Sequence, residues 1–259
     1  MGGVRLDRSG ATAVITIDRP DKLNALTLAM YDQLGEAFAE FRDDPRIGVA
    51  ILTGAGDRAF CVGADLGESI PALADGRFDI SEWDDAHQKH TRLDKPVIGA
   101  VNGLCLGGGF EILLSTDIRI AAEHAGFALP ETGVGVVPAG GTLSRLVRQI
   151  PYAFAMDLML RGDRIDAATA LRYGLVNRVV PATELMDTAH EVADELLAKS
   201  RTAVATVKRA VRELSDLPLE QAFHREAVLG QEAFTSEDAR EGLVAFAART
   251  PPVFPSHDS

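Results

Sequence analysis

Cysteine is scarce in this chain of 259 residues: only Cys61 and Cys105 occur, without CxxC or Cys/His spacing. That gives no support for a disulfide framework or a zinc site, and both thiols are expected as small buried hydrophobes in a reducing compartment. Long apolar runs are missing too. No stretch approaches the roughly 18 residues of a membrane span, and the opening MGGVRLDRSG lacks the apolar core of a signal peptide, so a cytoplasmic location with no membrane partner is expected. Nor is there a basic excess: the formal net charge is −12, which argues against a nucleic-acid partner and would repel an anionic ligand at long range. An anionic ligand must then meet locally placed basic groups. GxSxG, HExxH, Walker and GxGxxG motifs are all absent, which disfavours nicotinamide and ATP chemistry. No internal repeat or low-complexity tract is evident. The remaining composition, 46% hydrophobic and 25% charged, is that of a globular chain with one core or a core and an appendage.

What is present alternates between the two regular periods. Ala11 to Ile17 is β-branched and ends at the turn signal Asp18, Arg19, Pro20, Asp21, which predicts a strand. From Thr27 to Arg42, Leu28, Tyr31, Leu34, Phe38 and Phe41 fall at helical spacing, and Asp44-Pro45 stops the helix. Residues 47–53 and 95–101 read as buried strands, 118–122 as another and 127–129 as a short extended piece. GAGDRAFCVGADL reads as a loop, and the polar, His-containing stretch 67–93 as exposed helix and loop. A helix opens at Gly107, and after Gly141 helix signals dominate to the end, where Ser236 caps the last helix and Pro251-Pro252 ends it. Alternating short strands and helices predict an α/β core, assigned to 1–195, with a helical C-terminal region at 196–259.

The glycine triplet Gly107, Gly108, Gly109 carries the chemistry. At a helix N-terminus the backbone N–H groups are unpaired, and residues without Cβ let a substrate oxygen approach them. One such N–H is half of an oxyanion hole; the turn Cys61, Val62, Gly63, Ala64, Asp65 is a candidate for the other half. Each donor would stabilise an enolate by about 3–4 kcal/mol if the value for another oxyanion hole transfers. Glu111 and Glu131 follow the triplet, and paired carboxylates beside such a turn can move protons around an activated carbonyl. Taken singly, Glu111 also fits a complement to the helix dipole and Glu131 an exposed turn residue.

Four segments resemble the enoyl-CoA hydratase/isomerase (crotonase) superfamily at family-like spacing: ITIDRPDKLNAL with Asn24, Ala25 and Leu26; AFCVGADL; KPVIGAVNGLCLGGGFEILLSTDIRIAAEHAGFALPE; and GDRIDAATALRYGLVNRVVP. The resemblance spans nearly the whole chain. It implies a spiral of ββα units with a C-terminal helical region that mediates trimerisation, as a homotrimer or homohexamer, and a site for an acyl-CoA thioester. By position, Ala64 and Gly108 would supply the oxyanion donors, Glu111 would activate water and Glu131 would exchange a proton with C2 of the acyl chain. Retention of both glutamates points to hydration or dehydration, ahead of isomerase, hydrolase, C–C lyase or purely binding relatives. The resemblance implies no cofactor besides the CoA of the substrate and no metal.

CoA recognition by the same analogy falls to Lys22, Leu23, Ala25, the turn Ala64, Asp65, Leu66, and a basic side chain near the C-terminus, here Arg249. Arg19 and Lys22 are candidate phosphate partners, although a charged pair at a turn is commonly just solvated. Gly67 stands where many relatives carry lysine, and Ala139, Gly140, Gly141 replace a longer glycine cluster, which alters local pocket shape. FALPETGVGVVPAGGTLSRL and TSEDAREGLVAFAART look more like the carnitinyl-CoA dehydratase subgroup than the short-chain fatty enoyl-CoA hydratases. His87 and His90 at i, i+3 lack a third metal ligand and are expected in an exposed polar segment. Trp83 and Phe78 either line the acyl pocket or cap a loop.

Overall fold

The structure is a computed structural model that describes residues 2–257, so the first residue and the last two of the 1–195 and 196–259 division lie outside the described residues. The strands are β1 (Gly3–Ser9), β2 (Thr12–Asp18), β3 (Val49–Gly54), β4 (Ala59–Cys61), β5 (Val97–Val101), β6 (Leu104–Leu106), β7 (Ile118–Ala122), β8 (Gly126–Ala128), β9 (Ile165–Asp166) and β10 (Arg178–Val180). The helices are α1 (Leu28–Asp43), α2 (Ser69–Ala74), α3 (Gly108–Leu113), α4 (Thr142–Gln149), α5 (Tyr152–Arg161), α6 (Ala167–Tyr173), α7 (Leu185–Leu197), α8 (Arg201–Leu214), α9 (Leu219–Phe234) and α10 (Glu237–Ala248).

Two sheets result, ordered β1-β2-β3-β5-β7-β10 and β4-β6-β8-β9. Only the β1–β2 and β8–β9 pairs are antiparallel. The pairs β3/β4, β5/β6 and β7/β8 each send one strand to each sheet, which is the spiral of ββ units the resemblance implies. Along β3, Ala50 and Leu52 face one core while Val49 and Ile51 face another, the period-2 alternation of a sheet covered on both faces. The second face is covered by α7 through Leu185, Ala189, Val192 and Ala193. The first packs on α1, whose Tyr31, Leu34, Phe38 and Phe41 are buried at the predicted spacing and whose N-terminus is capped by Thr27.

The sharp corners between sheets are held by side-chain amides. Asn102, between β5 and β6, donates to the carbonyls of Gly54 and Gly56 at 2.8 Å each and accepts from the Gly54 N–H, so it ties its own corner to the one between β3 and β4. Asn24 does the same for the first loop, donating to Ala59 O at 2.7 Å and Ala55 O at 3.0 Å. Gly103 is required here, because a Cβ on it would lie 2.4 Å from the Arg58 carbonyl oxygen. Asn102→Ala is expected to destabilise the protein by about 2–3 kcal/mol in denaturant unfolding, since it strands buried carbonyls without donors.

Several sequence expectations change. The 55–66 loop contains β4, and β6 precedes the glycine triplet; both are three-residue strands, too short for a periodic signal. The stretch 67–93 is not uniformly exposed: Trp83, Ala86, His87 and Leu93 are buried. Its polarity misled because Trp83 and His87 face Tyr31 of α1 rather than solvent, with Trp83 stacked on that ring at 4.2 Å. Helix α7 runs through residue 195 and ends at Leu197. Beyond it, α8 is fastened to the core by Lys208, which donates to Lys95 O and pairs with Asp117 at 2.7 Å, and by Arg212 against Asp94 at 2.8 Å. After Ala248 the chain leaves the helix, and a 3-10 turn follows at Pro255–His257.

Candidate active site

The three parallel strands of the smaller sheet deliver the site. Ala64 follows β4, Gly107 and Gly108 follow β6, and Glu131 follows β8, so all lie at the carboxyl ends of neighbouring strands, where open parallel sheets bind ligands. Gly107 turns the chain with φ 51° and ψ −126°, a conformation that favours glycine, and caps the N-terminus of α3. Gly109 follows so close to β4 that a Cβ would lie 2.2 Å from the Cys61 carbonyl oxygen.

The candidate oxyanion donors are neighbours. A Cβ on Gly108 would sit 3.7 Å from Ala64 N, and one on Gly63 would sit 2.7 Å from Gly108 N. Neither the Ala64 nor the Gly108 N–H donates to an acceptor among the described residues, although the adjacent Asp65 N–H donates to Leu26 O and the Gly107 N–H to Ala128 O. Two backbone N–H groups without an acceptor among the described residues thus lie beside one another.

Both glutamates border this point. Glu111, in the first turn of α3, is only 6% exposed, and its Oε1 accepts from the Gly140 N–H at 2.6 Å. Burial, and secondarily the charge of Glu131, push its carboxyl up to about 7, against the opposing effect of the Gly140 hydrogen bond. Glu131 lies in the 3-10 turn Pro130–Val134 with its Oε1 3.1 Å from the place a Gly107 Cβ would occupy. Burial raises its carboxyl as well, and its Oε2 is enclosed without a hydrogen-bond partner.

The first loop and the Ala64 turn are zipped together: Leu26 N–H donates to Gly63 O and Ser69 Oγ to Leu26 O. This brings Lys22, Leu23, Ala25, Ala64, Asp65 and Leu66 to one edge, with Leu23 and Asn24 in left-handed conformation and the side chains of Lys22 and Leu66 exposed. Arg19 is neither solvated nor free. It pairs with Asp65 at 2.5 Å and donates to Ala25 O at 3.1 Å, and it holds the Asp65 carboxyl below its usual range. Asp65 also accepts from the Gly67 N–H, so its side chain braces the turn. Arg249 stands apart, exposed at the left-handed C-cap of α10, with no hydrogen bond or ion pair to this edge among the described residues.

Four residues at the site escaped sequence reasoning. Tyr31 read as helix core, yet its buried hydroxyl has no partner and lies 2.8 Å from the Gly108 Cβ position. Burial, then Cys61, Glu111 and Glu131, push that phenol well above its usual range, so it stays a neutral O–H. Gly140, seen only as a change in a glycine cluster, binds Glu111. Arg145 on α4 fastens the 83–88 segment by donating to the carbonyls of His87 at 2.6 Å and Gln88 at 2.8 Å. His87 is 1% exposed, whereas His90 is exposed and pairs with Asp84 at 3.1 Å. The aromatic residues Trp83 and Phe78 pack against each other at 5.3 Å, with Trp83 against Tyr31 behind the site.

Comparison with known proteins shows the family. The family model described as enoyl-CoA hydratase/isomerase matches residues 7–257. The carnitinyl-CoA dehydratase of Escherichia coli strain K12 is 41% identical over 259 residues, covering 97% of this chain and 97% of the relative. That of Proteus mirabilis is 42% identical over 260 residues, covering 96% and 97%. Among solved structures, the enoyl-CoA hydratase of Bacillus anthracis superposes with a TM-score of 0.91 at 32% identity, over 98% of this chain and 99% of that one. An enoyl-CoA hydratase of Mycobacterium tuberculosis H37Rv gives 0.88 at 34%, over 98% of each. The chain belongs to the enoyl-CoA hydratase/isomerase family.

Proposed function

We propose that this protein catalyses the reversible hydration of a 2-enoyl-CoA, with dehydration of the 3-hydroxyacyl-CoA as the reverse, by means of Ala64, Gly108, Glu111 and Glu131. The observation that carries the reading is the meeting of two unpaired backbone N–H groups with one buried and one half-buried carboxyl around one glycine turn. A thioester oxygen bound by Ala64 and Gly108 N–H would draw electron density from the C2=C3 bond and leave C3 electrophilic. Water then adds to C3, giving its proton to Glu111, while Glu131 protonates C2. In the reverse direction Glu131 removes the C2 proton and Glu111 protonates the departing hydroxyl.

Both directions need one proton on the pair, and repulsion between two enclosed carboxylates favours that state. Glu111, the more deeply buried, is the natural holder of this proton, which is the arrangement dehydration starts from. Carnitinyl-CoA dehydratase relatives support the same direction and a polar acyl group. CoA would lie along the edge formed by Lys22, Leu23, Ala25, Ala64, Asp65 and Leu66, and Lys22 is the side chain free to meet phosphate. No cofactor beyond the substrate's CoA enters these steps. Exposed Phe223, Phe234, Leu243 and Phe246 on the C-terminal helices support assembly with further copies, as a trimer or hexamer.

The test is turnover of crotonyl-CoA and of a panel of 3-hydroxyacyl-CoA thioesters, followed through the conjugated-thioester absorbance. Activity should fall as pH rises through about 7 in both directions, because the pair then loses its one proton; the apparent value belongs to the pair. Absence of turnover across the panel overturns the assignment.

A further inference from the structure

Along the buried face of α1, made by Met30, Tyr31, Leu34, Ala37, Phe38 and Phe41, only Tyr31 carries a hydrogen-bond donor. That hydroxyl is enclosed and has no partner among the described residues. Phenylalanine would fill the same core without the cost of a buried, unbonded donor, and a buried tyrosine hydroxyl normally finds a partner. The ring is held firmly. It stacks on Trp83 at 4.2 Å with 12° between the planes, Phe78 packs on Trp83 at 5.3 Å, and His87 flanks the phenol ring at 5.7 Å. Its tip lies beside both candidate oxyanion donors: the Cβ position of Gly108, one bond from the Cα, is 2.8 Å from Tyr31 Oη and 3.7 Å from Ala64 N. Cys61, Glu111 and Glu131 are the titratable groups that act on the phenol, and none of them takes a hydrogen bond from it. Glu131 Oε2 is shut off in the same way, so the substrate-free site is closed at its reacting atoms and widens to admit an acyl group. Two backbone N–H groups and one hydroxyl in one neighbourhood thus lack the same thing, an acceptor oxygen, and no described residue offers it.

We propose that Tyr31 is a further catalytic residue, its phenol O–H donating to the thioester oxygen that the Gly108 N–H binds, as a third donor to the enolate. The enolate rests on the hydratase reading; the contact with a thioester carbonyl requires only that an acyl-CoA bind. Tyr31 transfers no proton. Burial first, and then the neighbouring Cys61, Glu111 and Glu131, oppose its ionisation, so the phenol stays a neutral donor and the two glutamates remain the groups that exchange protons. As water adds to C3, or as the C2 proton leaves in the reverse direction, negative charge moves onto the thioester oxygen. A donor already fixed by stacking on Trp83 strengthens with that charge and needs no reorganisation at the moment of reaction. The hydroxyl therefore serves the reaction and contributes nothing to the substrate-free fold.

The test is infrared difference spectroscopy of butyryl-CoA, labelled with carbon-13 at the thioester carbon, bound to the unmodified protein and to Tyr31→Phe. Butyryl-CoA is saturated, so it is not turned over, and the isotope picks out the one carbonyl. Hydrogen bonds to a carbonyl lower its stretching frequency, so the band should lie higher in Tyr31→Phe, where only the Ala64 and Gly108 N–H groups are left to it. The same frequency in both proteins overturns the proposal, as does failure of butyryl-CoA to bind the unmodified protein in calorimetry. Melting curves of the substrate-free proteins are the second measurement. A hydroxyl without a partner adds nothing to the fold, so Tyr31→Phe should melt at the same temperature or higher; a lower one, or failure to fold, shows the hydroxyl bonded within the protein and overturns the proposal. Where enoyl-CoA is turned over, kcat of Tyr31→Phe should fall by about 10–100-fold, the scale of a hydrogen bond to a charged oxygen, with KM changed little, and further variants made in that background are compared with it. Absence of turnover by the unmodified protein would remove the hydratase reading and leave the carbonyl shift to be seen.

Discussion

Glu111→Gln is expected to lower kcat for enoyl-CoA hydration by about 10²–10⁴-fold, the usual contribution of a positioned acid or base, while making the protein more resistant to unfolding above pH 7. The two effects have one origin. The amide is uncharged and similar in shape to the carboxyl, so its oxygen can keep the Gly140 N–H. The fold therefore loses no contact, but the group can no longer accept a proton from water or give one to a hydroxyl. The stability gain follows from the raised carboxyl. A folded-state value of about 7, against an ordinary 4.5, means that the native state binds a proton more tightly than the unfolded chain. That contribution is fully present below pH 4.5 and is lost as pH climbs through about 7, a total of about 3 kcal/mol. The glutamine variant has no such loss, so its melting temperature should exceed that of the unmodified protein at pH 8 and match it near pH 4. Loss of activity together with loss of stability would mark Glu111 as a structural residue. Glu131→Gln should cut kcat on the same scale. The double variant should fall far short of the product of the two effects, because each proton transfer is useless without the other.

How the sequence relates to this site depends on how each residue reaches it. Glu111, Glu131, Gly108 and Ala64 were legible because short segments carry them: a glycine triplet entering a helix, a turn after an apolar strand, a proline-led turn. Strands and helices with full periods were legible for the same reason, as in α1, where Leu34, Phe38 and Phe41 report a buried face directly. Residues that arrive from a distant part of the chain were not. His87 lies in a stretch with as many charged as apolar residues and no clear period, and Trp83 packing on Tyr31 and the Arg145 clamp turn it inward. Tyr31 looks like core because its ring is core; nothing local says that its hydroxyl emerges beside Gly108. Gly140 gave a signal, a glycine pair after Pro138, without saying which side chain its N–H would meet. Arg19 was legible as a charge near the CoA edge, but its pairing with Asp65 depends on the zipping of two loops. Short strands such as β4 and β6 owe their existence to pairing in the smaller sheet, a tertiary property.

Replacing Gly108 separates the oxyanion donor from the space it occupies. Gly108→Ala keeps the backbone N–H and adds a Cβ; Gly108→Pro adds the same Cβ and removes the N–H. Proline is tolerated at the first position of a helix, where its missing donor has no partner within the helix. Either Cβ would lie 2.8 Å from Tyr31 Oη, so both variants are best made with Tyr31→Phe, which removes that contact. In this background the alanine variant should retain most of its activity, and the proline variant should be slower in kcat by about 10²–10³-fold, the effect of one lost oxyanion donor. Binding of the CoA portion should be similar in the two, because Lys22, Leu23 and the Ala64 turn are untouched, and this can be checked by calorimetry with an unreactive acyl-CoA. Far-UV circular dichroism and melting curves must agree between the pair for the rates to be compared. Should the two variants turn over alike, the enolate oxygen does not rest on Gly108, and the phenol of Tyr31, absent from both, becomes the group to restore first.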